Sequence, residues 1–305
     1  MKALVFAGAL AVLSGPAFAQ TPKAGLTTPT GHDVSLGVAG YGYVEPGAQR
    51  VSIHGLKISG EYTGTLPLNA RRHWFLQADV RGLLGRAAYD GYCSPWLIMP
   101  DRASPNGYVL AVGDPSPCSE SGDLDWYVEG RAVAGKDFVF PKWGLTPFTG
   151  VGLRHLSNGT GGLPGYRTDD YLYLPLGLTV RTGRRLSATV EYDRLIRGWQ
   201  KTRESDFGHI AIPATPTAPA FSIDSFTDVS FIQHGGRALR ASASYQAFRR
   251  WSIEPYYIRW VIDSSPVNNV TATFTVNQVT AREQLGFYEP WNATNEVGVK
   301  LGFHF

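Results

Sequence analysis

Two side chains that together could do nucleophilic chemistry, His155 and Ser157, stand two positions apart, and two acids, Asp169 and Asp170, follow twelve and thirteen positions after the serine. A hydroxyl beside an imidazole, with a carboxylate fixing the imidazole tautomer, is the arrangement that activates a serine for acyl transfer. Gly159 just beyond offers a backbone N–H to a developing oxyanion. The plain alternative is a pair of solvated polar residues with Asn158-Gly159 opening a turn and Asp169-Asp170 starting the next element.

Such chemistry requires one shared face. Residues 144–158 alternate so that Leu145, Pro147, Thr149, Val151, Leu153, His155 and Ser157 lie on one side and Arg154 on the other, the period of a strand. In 170–182 the apolar phase is Leu172, Leu174, Leu176, Leu178 and Val180, which Asp170 joins and Asp169 does not. An acid thus returns to the His155 face on an adjacent antiparallel strand.

The same alternation recurs in segments of about ten residues between turns, the pattern of a transmembrane up-and-down β-barrel. It predicts ten strands near 32–45, 50–64, 73–89, 124–139, 144–158, 170–182, 186–201, 238–248, 252–264 and 295–305. Short connections then alternate with long ones at 90–123, 159–169, 202–237 and 265–294, the short ones periplasmic and the long ones external. Strand two changes apolar phase between Ile53 and Leu56 and calls for a bulge. Trp74, Trp126, Trp143, Trp199, Trp251 and Tyr256 fall toward strand ends, as interfacial girdles require. The competing fold is a soluble β-sandwich with these aromatics in its core.

Assigning the apolar phases to lipid turns the other phase inward. That phase carries Asp79, Arg81, Asp125, Glu129, Arg131, Arg154, Glu191, Asp193, Arg240, Arg259, Glu296 and Lys300. Ten strands leave an interior little wider than side chains fill, so mixed ion pairs would close most of it. The expectation is a charged plug that stabilises the barrel; a narrow selective channel is the alternative, and an open general porin is excluded.

At the N-terminus, Lys2, the apolar run Leu4–Leu13 and Ala17-Phe18-Ala19 read as a secretory signal over 1–19, exported by the Sec route, with Gln20 first in the mature chain. A periplasmic segment at 20–31 then leads into the barrel at 32–305. Loss of Lys2 takes the formal net charge from +3 to +2, too near neutrality for a nucleic-acid binder. Cys93 and Cys118 share one Gly/Pro/Ser-rich segment of an exported chain and are expected to form a disulfide. The histidines (His32, His54, His73, His155, His209, His234, His304) show no metal spacing, and no metal or cofactor is expected. Ile210, Ile212, Phe221 and Ile223, around a proline-rich stretch, could serve adhesion or pack on the barrel rim.

Three resemblances attach to these residues. The final alternation Val297, Val299, Leu301, Phe303, Phe305 resembles the C-terminal signal by which Gram-negative outer-membrane barrels are recognised, implying the barrel assembly machinery as a partner. The run His155-x-Ser157-Asn158-Gly159 resembles the active-site strand of outer membrane phospholipase A and, less closely, of lipid A 3-O-deacylases. That implies an outer-wall site acting on outer-membrane lipids and lipopolysaccharide, with calcium only if the phospholipase likeness holds. It also implies an orienting residue about twelve positions past the serine, which selects Asp169 where face parity selects Asp170. Finally, Gly152-Leu153-Arg154, Asn158, Gly165-Tyr166-Arg167 and Tyr171–Gly177 resemble a group of uncharacterised proteobacterial outer-membrane proteins, whose pattern leaves positions 155 and 157 open. The leading expectation is a structural or surface-recognition barrel; the serine lipid hydrolase is the enzyme alternative.

Overall fold

The computed structural model describes residues 26–47, 51–69, 73–158, 166–183 and 185–305. The signal at 1–19, the start of the segment at 20–31, and Gly159 and Gly165 lie outside the described residues. The first strands are β1 (Gly31–Glu45), β2 (Val51–Asn69), β3 (Trp74–Cys93), β4 (Trp96–Pro100), β5 (Tyr108–Val112) and β6 (Ser116–Lys136). There follow β7 (Phe138–Val139), β8 (Trp143–Asn158), β9 (Arg167–Thr182), β10 (Leu186–Thr202), β11 (Ile210–Ile212) and β12 (Phe221–Phe226). The last six are β13 (Val229–Gln233), β14 (Gly236–Gln246), β15 (Trp251–Ile262), β16 (Asn268–Val276), β17 (Val279–Phe287) and β18 (Asn292–His304).

Ten of these, in the order β1, β2, β3, β6, β8, β9, β10, β14, β15, β18, pair antiparallel with their neighbours and close into a barrel through β1 and β18. Closure leaves no free edge within the wall, the condition for strands to cross lipid. All ten predicted strands are present, and the register of the seam runs from Asp33↔His304 to Val44↔Ala293.

The two faces are inverted relative to a soluble protein. On β18, Val297, Val299 and Leu301 are 60%, 41% and 50% exposed while Glu296 in the alternate phase is 1% exposed. An apolar outer belt around a buried charged interior is the signature of a barrel in lipid and overturns the soluble sandwich. Trp74, Trp143, Trp199 and Trp251 are exposed on this outer face. Tyr256 is a correction: it is in the inward phase of β15, and its hydroxyl donates to Glu296 Oε1 at 2.8 Å.

The bulge expected in β2 is absent, because the β1–β2 register runs unbroken from Glu45↔Val51 to Gly31↔Thr65. Ile53 simply faces inward, buried with Tyr41, Tyr43 and Leu83, and the same phase carries Lys57 and Glu61 into the lumen. Small residues set the inner packing: a Cβ on Gly152 would sit 2.2 Å from the Tyr173 ring.

Outside the membrane the long connections are not loose. The sheet β11-β12-β16-β17 and the hairpin β4–β5 enclose a second core of Ile98, Leu110, Phe226, Phe231, Val270 and Phe274 among others. Phe221 and Ile223 belong to this core and Ile212 packs against it, so they build a cap. The turn between β16 and β17 uses positive φ at Asn277 (50°) and Gln278 (67°), as a two-residue hairpin loop requires. Cys93 and Cys118 are disulfide-bonded, their Cα atoms 5.7 Å apart, where β3 and β6 run together beneath the β4–β5 hairpin.

Candidate functional site: the outer wall and the filled lumen

β8 rises and β9 descends, and their register sets His155 opposite Asp170 and Ser157 opposite Thr168. Directly paired residues of an antiparallel ladder share a face, so His155 and Asp170 meet on the outer wall, Nδ1 to Oδ1 at 2.7 Å. The Trp126 ring lies 5.4 Å from the imidazole. With the carboxylate on Nδ1, the other ring nitrogen, Nε2, is available as a base.

Asp169 does not meet His155. It pairs with Leu156 on the inward face and is 4% exposed, since one step along a strand reverses the side-chain direction. Ser157 faces outward but is covered: its hydroxyl lies 2.5 Å from the Tyr166 hydroxyl, and the residue is 1% exposed. Among the described residues no hydrogen bond joins Ser157 to His155. Tyr166 is itself held by Arg203, whose guanidinium lies 4.9 Å over the ring and whose backbone N–H donates to the Tyr166 carbonyl. The chemistry available as the residues stand is therefore an oriented base beside a hydroxyl engaged elsewhere.

Inside, Arg131 bridges Asp79 (2.8 Å) and Glu191 (2.6 Å), and Arg240 reaches Asp193 at 2.6 Å and also Glu129. Arg81 pairs with Glu296, and Lys57 with Asp125. Lys300 joins Glu61 (2.7 Å) and Glu254 (3.0 Å). Arg154 lies 4.0 Å over the Tyr127 ring. Lys57, Glu61 and Glu254 are missing from the sequence reading, the first two because the phase of β2 is masked by inward Ile53. Arg259 is a correction: it is in the outward phase of β15, exposed, donating to Asn295 Oδ1 at 3.0 Å. The inward phase there is Tyr256, Ile258 and Trp260, which reads as apolar and hides the face assignment.

These groups divide the lumen. On the periplasmic side lies a cavity of about 1350 Å³, lined by Glu61, Asp79, Arg131, Arg181 and Lys300 among others. Toward the exterior, Tyr41, Lys57, Asp125, Arg154 and Trp260 are all at most 3% exposed. At the periplasmic mouth, Thr28 donates through N–H and Oγ1 to Asp137 at 3.0 and 2.7 Å. This draws the chain ahead of β1 across to the end of β6.

At the exterior rim, Arg167 Nη1 contacts Glu45 at 2.6 Å and Glu289 at 3.5 Å. Burial raises the Glu289 carboxyl to about 7, against the pull of Arg167 and with the push of Glu45. Among the described residues no three metal-ligating side chains are grouped to hold an ion.

No family model and no curated protein matches the chain. Among solved structures it is similar to the outer membrane protease OmpT from Escherichia coli, with TM-score 0.52 and 10% identity over 94% of this chain and 99% of that one. An outer membrane channel from Pseudomonas putida F1 follows at TM-score 0.36 and 11% identity, covering 94% of this chain and 100% of that one. The translocator domain of the autotransporter NalP from Neisseria meningitidis gives TM-score 0.32 and 10% identity, covering 91% of this chain and 90% of that one. At such identity the first likeness shows the fold alone. The chain is an outer-membrane β-barrel of ten antiparallel strands.

Proposed function

We propose that the chain works at the cell surface as a closed barrel carrying a folded cap, in a structural or recognition role, and not as an open pore. The observation that carries this reading is the filled exterior half of the lumen, where Lys57, Asp125, Arg154 and Trp260 are buried at one level. Its support is the cap, whose separate core holds the external segments in one shape, as a recognition surface needs. Outer-membrane lipids and lipopolysaccharide surround it in this reading. Phe303, on the final strand, and Phe305, just past its end, address the assembly machinery in this reading. Planar-bilayer recording of the folded protein tests the closed lumen. A record without conductance steps is expected; regular steps overturn it in favour of a narrow selective channel.

One contact favours a second reading, an outer-membrane serine lipid hydrolase: the His155–Asp170 pair on the lipid-facing wall. In that reading Ser157 is the nucleophile, His155 the base and Asp170 the orienter. Tyr166 must first release the serine hydroxyl, so that its proton can pass to His155 as the acyl carbon is attacked. The test is acyl release from phospholipid and lipopolysaccharide, beside Ser157→Ala, with and without calcium. Release lost in the variant supports it; no release from folded protein in any condition overturns it.

A further inference from the structure

Four arginines stand on the outer wall of three adjacent strands, around the level of the exterior end of β14. Arg194 of β10 is directly opposite Arg237 of β14, and Arg237 is the second residue of its strand. Arg259 of β15 lies opposite Leu239, one outward position along β14 from Arg237. A bulge between Leu195 and Arg197 returns Arg197 to the outer face, opposite Leu172 of β9; bulges of this kind re-aim side chains beside functional sites. All four are exposed.

Like charges directly opposite on a ladder repel, and cations on a lipid-facing wall are costly unless an anion meets them. Among the described residues none of the four has an acidic partner: Arg259 donates to Asn295, and Arg197 lies over the Trp199 ring at 5.3 Å. Other external cations are matched, Lys201 to Asp228 and Arg203 to Asp206. On the opposite wall Arg86 donates to the Gly122 carbonyl. Beside the four or toward the membrane from them, Leu174, Val190, Leu239 and Val297 are 47%, 55%, 47% and 60% exposed, a surface for acyl chains.

We propose that Arg194, Arg197, Arg237 and Arg259 bind the phosphorylated headgroup of an outer-leaflet glycolipid whose acyl chains lie along that apolar surface. Guanidinium forks match phosphate oxygens in pairs, and two arginines face to face need an anion between them. The site borders the candidate hydrolase pair, since Trp199, two residues past Arg197, is opposite Asp170. The proposal rests on the outer-membrane placement alone and not on hydrolysis.

Native mass spectrometry of the full detergent-folded protein with diphosphoryl lipid A, dephosphorylated lipid A and phosphatidylethanolamine tests it. The parent is expected to hold diphosphoryl lipid A about tenfold more tightly than the other two, and Arg194→Gln/Arg237→Gln to lose that preference. Arg86→Gln should bind as the parent does, and heat-modifiable gel migration reports folding of each variant. Equal binding of the three lipids by the parent overturns the proposal without recourse to any variant, as does parent-like selectivity in the double variant. Acyl release is read in the same samples, so selective binding without release supports this site while failing the hydrolase reading.

Discussion

His155 and Asp170 hold each other across the β8–β9 pair, Nδ1 to Oδ1 at 2.7 Å, on the wall that lipid covers. Two residues along β8, Ser157 turns instead to Tyr166 at 2.5 Å. In the hydrolase reading the base is thus oriented and the hydroxyl withheld, and activity would depend on one tyrosine.

Tyr166→Phe removes the hydroxyl that engages Ser157. Labelling of Ser157 by a fluorophosphonate, read by intact mass, is expected to rise about tenfold in this variant and to fall about a hundredfold or more on adding Asp170→Ala. Labelling that ignores both changes removes Ser157 from the chemistry and leaves His155–Asp170 as an ordinary interfacial contact.

Glu296 is the acceptor on which three strands converge: Arg81 pairs with it, and the hydroxyls of Tyr127 and Tyr256 each donate at 2.8 Å. Glu296→Ala leaves a buried guanidinium without its carboxylate, a loss of about 3–5 kcal/mol. Urea unfolding in detergent, followed by tryptophan fluorescence, should show it, and Glu296→Gln/Arg81→Met should recover part of the loss. A midpoint unchanged in Glu296→Ala would show that the lumen pairs do not stabilise the barrel.

The barrel is legible in the chain because lipid imposes one simple demand, an apolar residue at every second position, and β18 meets it from Val297 to Phe303. The code fails where the inward phase is apolar too. Ile53 on β2, and Tyr256, Ile258 and Trp260 on β15, face the lumen, so they disguise Lys57 as outward and Arg259 as inward. The cap is written in equally clear alternation, Val270, Ala272, Phe274 and Val276, yet its strands are short and lie between longer ones, which makes them read as loop. The Tyr166 contact depends on how an external connection settles onto the wall, and no periodicity records that.

Cys93 and Cys118, 25 residues apart, close the loop that carries the β4–β5 hairpin. A chain-entropy argument gives such a closure about 3.5 kcal/mol. Reduction, or Cys93→Ser/Cys118→Ser, is expected to open 94–117 to trypsin at Arg102 while the barrel keeps its heat-modifiable migration. Unaltered cleavage would mean that packing of Ile98 and Leu110 into the cap core suffices to hold the hairpin.

Glu289 links the cap connection to the rim through Arg167, Glu45 and the Tyr43 hydroxyl, which donates to it at 3.4 Å. Its carboxyl is raised from 4.5 to about 7 by burial, so the closed state binds a proton that the opened state has released. A group raised on closing stabilises the closed state fully below its open value, and that contribution is lost as pH rises through the closed value. Protection of the 265–291 backbone from hydrogen exchange, corrected for the intrinsic rate, is therefore expected to fall between about pH 4.5 and 7. Glu289→Gln, which keeps the shape and cannot ionise, should flatten that dependence. A slope that survives the substitution would remove Glu289 as the group that titrates.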